Sequence, residues 1–294
     1  MVAGPTAVGK TAVAIELAQQ LQTVILSADS RQCYRELNIG VARPSPQELE
    51  AVPHYFIASH SIQQKIDAAL YEAHALTLLR ELFQQYHTVV VTGGTGLYIK
   101  ALIDGLDDIP AIPEHIRKTI VKNVETEGIE WLQQQLLSKD SLFASQGEMQ
   151  NPQRMMRALE VVEGTGRSII SFRSGSKAKR NFDITQIGLE MPRETLNNRI
   201  NTRVDSMMEA GLEQEARSLI PHRHMNGLQT VGYKEMFDYF DGSISLHQAS
   251  DLIKQNTRRY AKRQMTWFKR QSEMIWFDVS QVGRDTLINS ILNY

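Results

Sequence analysis

Gly4-Pro5-Thr6-Ala7-Val8-Gly9-Lys10-Thr11 is the stretch that decides the fold, because it spells a complete phosphate-binding loop, G-x-x-x-x-G-K-[ST]. The two glycines let backbone N–H groups turn inward around phosphate oxygens, and the helix that follows points its positive end at them. Lys10 adds a mobile cation, and the Thr11 hydroxyl is placed to join the coordination shell of a magnesium ion. Thr11 to Ala18 carries apolar residues at helical spacing, as a loop-to-helix junction requires. Nucleotide- and ATP-binding proteins use this loop, but the pattern alone does not name the phosphate compound or its fate. Only Met1, Val2 and Ala3 precede Gly4, where such a loop normally follows a full buried strand. The reading expects either a stub of a first strand or earlier residues omitted from the numbering.

Outward from the loop, Thr23 to Ala28 and Thr88 to Thr92 are short β-rich runs that end at Asp29 and at Gly93-Gly94. Runs of this kind, buried on both faces, suit a parallel sheet. Between them Ile66 to Tyr86 keeps a helical repeat through Ile66, Leu70, Ala73, Leu76, Leu79, Leu82 and Phe83. Strand, helix and strand in this order predict an α/β fold, a P-loop NTPase-like parallel sheet flanked by helices, with functional loops at the strands' C-terminal ends. Asp107 to Phe182 has no strand run and reads as an inserted helical domain. Residues 1-106 and 183-294 make the P-loop α/β core, with later strands expected at Thr185 to Leu189 and Met274 to Phe277, and a closing helix. The chain has 294 residues, 42% of them hydrophobic, a formal net charge of −1 and one cysteine, Cys33. That excludes an intramolecular disulfide, a multi-cysteine zinc site and a protein coated in positive charge. No apolar run approaches the length of a membrane span, and no signal peptide precedes the loop, so the expectation is a cytoplasmic protein, with nothing demanding more than a monomer.

A Walker B acid is missing: the best candidate strand runs into Thr92-Gly93-Gly94-Thr95-Gly96 rather than ending in Asp. The carboxylate at the sheet edge is Asp29, which taken alone reads first as a helix cap or turn residue. Gly93 to Tyr98 offers backbone N–H groups, a hydroxyl and an aromatic ring at the same edge. Arg154 and Arg157 share a helical face in the insertion. Lys254 to Arg270 carries seven basic residues and no acid, with Tyr260, Trp267 and Phe268 interleaved. That segment reads either as a phosphate- and base-binding face or as a solvated helix whose aromatics lie in the core. His222 and His224 lack carboxylate or thiolate neighbours and do not make a metal site. Cys33 reads as a packing residue near the site rather than a nucleophile.

Taken together these pieces resemble the tRNA dimethylallyltransferases of bacterial type, the IPP transferase family. The series runs in order through Gly4 to Thr11, Asp29-Ser30-Arg31-Gln32, Gly40-Val41-Ala42-Arg43-Pro44, Pro53-His54 and Gly93 to Tyr98. It continues through Pro152-Gln153-Arg154, Arg157 to Glu160, Val231 to Glu235 and Arg258 to Trp267. The resemblance implies transfer of a dimethylallyl group from dimethylallyl diphosphate to N6 of the adenine at tRNA position 37, with release of diphosphate. It implies Asp29 as general base, with Lys10, Thr11 and Mg2+ stabilising the leaving group and Thr95 beside them. It also implies tRNA contacts at Asp29 to Gln32, Thr95, Arg117 and Gln153-Arg154-Met155-Met156-Arg157, and a target adenine flipped out of its stack. Val41 stands where the family commonly has Thr, and Gln229 where some members have Arg. The cysteine-bearing zinc-finger tail of eukaryotic members is absent. The competing readings are prenylation of free adenine nucleotides, a P-loop nucleotide kinase, and a non-catalytic RNA-binding module.

Overall fold

A strand of two residues, Val2–Ala3 (β1), occupies the middle of the sheet and is buried on both faces. The computed structural model describes residues 1–294. The other strands are Ile25–Ser27 (β2), His54–Tyr55 (β3), Val90–Gly93 (β4), Ile187–Glu190 (β5) and Ile275–Asp278 (β6). They form one six-stranded sheet in the order β3-β2-β4-β1-β5-β6, and every pairing is parallel. Val2 stands opposite Thr92 on one side and Ile187 on the other, so short as it is β1 is held on both edges. The expected P-loop NTPase-like α/β sheet is therefore present. β3 lies at an edge, and its two residues give no run or alternation from which to expect a strand.

By packing, the chain divides into two compact units, Met1–Ile103 with Arg180–Tyr294, and Asp104–Lys179. Arg180 and Phe182, read from sequence as insertion, pack in the α/β unit. Arg180 Nε donates to the Leu102 carbonyl at 2.8 Å, its Nη2 meets Glu72 at 2.6 Å, and Phe182 lies 5.4 Å from the Phe83 ring.

In the α/β unit the helix Lys10–Gln20 follows Gly9, whose φ of 105° suits glycine at a helix entry, and buries Val13, Ala14, Leu17 and Ala18. The next long helix, Ala68–Leu82, starts at an Asp67 cap that accepts from Leu70 N–H at 3.0 Å. Its buried face is Ala68, Tyr71, Ala75, Leu79 and Leu82, rotated from the expected repeat, and Leu70 is 40% exposed. The rotation follows from Tyr71, whose ring stacks on Tyr98 with centroids 4.3 Å apart. Tyr98 is thereby a core residue and not, as the sequence suggested, a ring offered at the sheet edge.

The unit Asp104–Lys179 has its own core of Ile120, Leu132, Leu136, Phe143, Met155, Met156, Ala158 and Leu159. It consists of the helices Glu114–Lys139, broken at Gly128, Ser141–Gln146 and Pro152–Thr165, with a short 3-10 turn at Ile169–Phe172. No helix of the protein is long and apolar enough to cross a membrane.

Candidate active site

Because all strands are parallel, their C-terminal ends share one edge of the sheet, and a cavity of about 610 Å³ opens there. β1 delivers the phosphate loop, β2 delivers Asp29 and β4 delivers Gly93-Gly94 between them. A β-carbon on Gly93 would stand closer than 3.0 Å to the Ala28 backbone, and one on Gly94 would occupy the Gln264 side-chain amide. The middle strand therefore ends without side chains, which is the physical counterpart of the missing Walker B acid. The site carboxylate comes from the next strand over.

Gln264 fills the space so left. Its Oε1 accepts from Thr6 N–H at 2.8 Å and its Nε2 donates to the Gly94 carbonyl at 2.8 Å, tying the phosphate loop and the β4 turn to the helix Leu246–Phe268. Lys10 Nζ donates to the Pro5 carbonyl at 2.8 Å. Burial lowers the Lys10 ammonium to about 8, with Asp29 pulling the other way and Arg203 adding to the depression. Arg203 donates to Thr6 Oγ1 at 3.4 Å, and a β-carbon on Gly9 would lie 3.7 Å from the Arg199 guanidinium. Arg203 is itself held below its ordinary value, by burial and then by Arg199. Three cations thus converge on the loop and repel one another, which fits the loop for a polyanion. Sequence reasoning missed both arginines, although their four-residue spacing on the helix Arg193–Glu209 puts them on one face.

One helical repeat further along, Met207 also lines the cavity, with Val204 beside it. At 1.5 Å per residue, Arg199 and Met207 lie about 12 Å apart along the helix. One wall therefore changes from cationic to aliphatic along a single helix. Val41, Val231 and Ile253 continue the apolar part.

Asp29 both closes a turn and faces the cavity. Its Oδ1 accepts from Arg31 N–H at 2.8 Å and Gln32 N–H at 3.1 Å, while Oδ2 takes no hydrogen bond from the protein. The cap reading and the site reading thus describe two oxygens of one group. Thr95 Oγ1 accepts from Ser30 N–H at 3.0 Å and donates to Ser30 Oγ at 3.2 Å, so its hydroxyl steadies the Asp29 turn. Ser30, Arg31 and Gln32 line the cavity. Cys33 is buried, and burial followed by the Asp29 charge pushes its thiol up to about 12, as befits a packing residue.

Of the aromatics in the basic run, Phe268 is buried, and Trp267 packs so closely that a β-carbon on Gly96 would be 2.5 Å from its ring. Tyr260 is the one tyrosine, phenylalanine or tryptophan on the cavity wall. Burial, with Asp29 next, raises its hydroxyl to about 12, and Arg263 lies 5.8 Å from its ring centre.

Thr11 also lines the cavity, and no cluster of three or more His, Cys, Asp or Glu side chains stands ready to hold a metal. That donor set does not build an all-protein cage. It fits Mg2+, which keeps waters and is completed by substrate phosphate oxygens.

The IPP transferase family model matches residues 32–271. The chain belongs to the IPP transferase family. It is 45% identical to the tRNA dimethylallyltransferase of Cytophaga hutchinsonii, over 97% of this chain and 94% of that one. It is 45% identical to the tRNA dimethylallyltransferase 1 of Bacteroides fragilis, over 95% and 92%. The crystal structure of the full-length tRNA isopentenylpyrophosphate transferase of Bacillus halodurans superposes with a TM-score of 0.72 at 37% identity, covering 99% of this chain and 93% of that one.

Elsewhere in this IPP transferase chain, the insertion holds the remaining sequence-predicted residues. Arg117 donates to Glu160 at 3.1 Å and to Gln153 at 3.2 Å; Arg157 meets the other Glu160 oxygen at 2.8 Å, and Arg154 pairs with Glu148 at 2.5 Å. The Arg154–Glu148 pair is exposed on both sides and of the weak kind that exchanges for phosphate, whereas Glu160 is mostly buried and holds Arg117 and Arg157, whose guanidinium groups stay partly open to solvent. Met155 and Met156 are corrected: their side chains are buried in the insertion core and cannot touch a ligand, because they fill the inner face of the helix whose outer face carries the arginines. Val41 lines the cavity, whereas Gln229 folds away onto the Arg223 carbonyl at 2.7 Å.

The depressed ammonium has a consequence for pH. Charged Lys10 attracts an anion, and raising the pH through about 8 discharges it in the free protein. Affinity for an organic diphosphate monoester should therefore fall above pH 8, by up to about tenfold per pH unit. Lys10→Arg, whose charge persists, should flatten that fall. Titration calorimetry from pH 7 to 9.5 checks both; a flat wild-type profile contradicts the assignment.

Proposed function

We infer that this chain transfers the dimethylallyl group of dimethylallyl diphosphate to N6 of the adenine at position 37 of tRNA and releases diphosphate. The activity is the one named for the relatives from Cytophaga and Bacteroides. The observation that carries it is the graded cavity: cations at the phosphate loop, aliphatic side chains further along the same helix, and a free carboxylate oxygen on Asp29. A diphosphate joined to a short branched hydrocarbon matches that gradient. A nucleoside triphosphate meant for phosphoryl transfer does not, since it has no use for the aliphatic end.

In this reading the N6 lone pair attacks C1 of the dimethylallyl group, the C1–O bond breaks, and its electrons stay on the departing diphosphate. Asp29 Oδ2 accepts the N6 proton. Lys10, Arg199, Arg203 and the loop amides neutralise charge that grows on the leaving group. Thr11 and the diphosphate oxygens would hold Mg2+, which supplies further positive charge there. The adenine must leave its stack, at a cost of a few kcal/mol. Tyr260 offers the ring against which it would rest. Arg117, Arg154 and Arg157 would meet tRNA phosphates, with Gln153 and Glu160 holding the Arg117 guanidinium and Glu160 that of Arg157.

Asp29→Ala should lower kcat by roughly 10²–10⁴-fold with little change in tRNA affinity. Equal losses in kcat and in tRNA binding would instead make Asp29 a positioning residue. For the insertion, Arg154→Gln with Arg157→Gln should weaken tRNA binding at every sequence and reduce the slope of log K against log salt by about one to two. An unchanged slope removes both residues from the interface.

A further inference from the structure

The segment 38–44 runs along the cavity rim; the Arg43 guanidinium ties it to the carbonyls of Tyr34, Arg35 and Leu37, and the N–H groups of residues 38 to 40 all lead to one carboxylate. Glu215 Oε2 accepts from the N–H groups of Asn38 at 3.2 Å and Ile39 at 2.8 Å. Its Oε1 accepts from Gly40 N–H at 2.9 Å and from the Tyr233 hydroxyl at 2.6 Å. An ionised carboxylate has about four lone-pair directions, so Glu215 is fully used. Gly40 is pressed against Tyr233: a β-carbon there would be 2.6 Å from the ring. Next to it Ala42 is held at a φ of 47°, in the left-handed region that an alanine leaves unless its surroundings fix it. Ala42 N–H donates to the Ile39 carbonyl at 3.0 Å and Arg43 N–H to the Asn38 carbonyl at 3.1 Å.

The same segment reaches the catalytic turn. Gln32 Nε2 donates to the carbonyls of Val41 at 3.2 Å and Ala42 at 2.8 Å, while Gln32 N–H donates to Asp29 Oδ1 at 3.1 Å. A continuous hydrogen-bonded path therefore joins Glu215, the rim segment, Gln32 and Asp29. Val41 to Pro44 on that path line the cavity. Glu215 itself lies on the helix Leu212–Ser218 and does not line the cavity, so it acts only through what it holds.

We propose that Glu215 is a positioning residue whose carboxylate sets the Asn38–Pro44 rim against the donor end of the cavity and, through Gln32, fixes the orientation of Asp29. The proposal rests on the reading of dimethylallyl diphosphate as donor. A glutamine at 215 keeps the shape but offers one acceptor oxygen and turns an NH2 group toward two donors, so the rim loses its register.

The test compares wild type, Glu215→Gln and the milder Tyr233→Phe. Donor affinity is read as KM in transfer and, independently of turnover, as Kd by titration calorimetry without tRNA. Glu215→Gln should raise donor KM and Kd about tenfold and lower kcat, with tRNA Kd within about twofold of wild type; Tyr233→Phe should raise donor Kd about threefold. A merely structural role predicts fewer active molecules with unchanged donor KM and Kd, and that result overturns the proposal. If Glu215→Gln does not fold, Tyr233→Phe decides by the same donor Kd. Wild-type turnover is the separate control: if no prenylated tRNA forms, the functional reading fails, while the donor Kd values still judge Glu215.

Discussion

The Gln264 side-chain amide is the contact on which the arrangement of the site depends. It spans the phosphate loop and the β4 turn, accepting from Thr6 and donating to Gly94, at a place where a side chain on Gly94 would collide with it. A buried amide that is satisfied at both ends favours one arrangement strongly, since either half left alone would strand a polar atom out of water. The bridge fixes three segments that are far apart in sequence: the N-terminal loop, the glycine turn after β4, and the long basic helix near the C-terminus. Tyr260, one turn before Gln264 on that helix, is carried to the cavity wall by the same attachment.

Around that bridge the charges are unbalanced in a purposeful way. Lys10, Arg199 and Arg203 crowd a loop already rich in inward N–H groups, and burial first, with repulsion between the cations adding to it, lowers the proton affinity of Lys10 and Arg203. Glu48 also lines the cavity, but its carboxylate is turned to the Ser45 N–H in a capping box at 2.8 Å. Asp29 keeps Oδ2 unbonded and is the acid near enough to Lys10 to act on its charge. A site that gathers positive charge at one end, turns the Asp29 carboxylate to the cavity, and carries aliphatic side chains further along one wall is better suited to breaking a carbon–oxygen bond than a phosphorus–oxygen bond.

The phosphate loop was legible because its spacing encodes backbone geometry directly, and the parallel sheet because runs such as Ile25-Leu26 and Val90-Val91 are buried on both faces. Asp29 was legible as a strand-end carboxylate only because the Walker B position was seen to be glycine. Arg199, Arg203 and Gln264 were not found, since each acts on residues brought close only by the crossover connections of the sheet. The four-residue spacing of the arginines was visible, but nothing local said which way that helix face would point. Met155 and Met156 were drawn in with their arginine neighbours, although a helix that shows Arg154 and Arg157 to solvent must turn the residues between them inward. Tyr98 was lost to the core for a similar reason: its partner Tyr71 comes from another helix. Glu215 carries no motif at all, and its importance lies entirely in the four donors that folding delivers to it.

In the proposed reaction the phosphate loop holds a leaving diphosphate while carbon moves to RNA. This is tested most directly by incubating the protein with dimethylallyl diphosphate labelled in its carbon chain, Mg2+ and total tRNA, then digesting the RNA to nucleosides and mapping the label. Label is expected on N6 of the adenine beside the anticodon, with one diphosphate released per label incorporated. Label absent from tRNA adenine, together with steady transfer of the γ-phosphate of ATP to an acceptor, would contradict it.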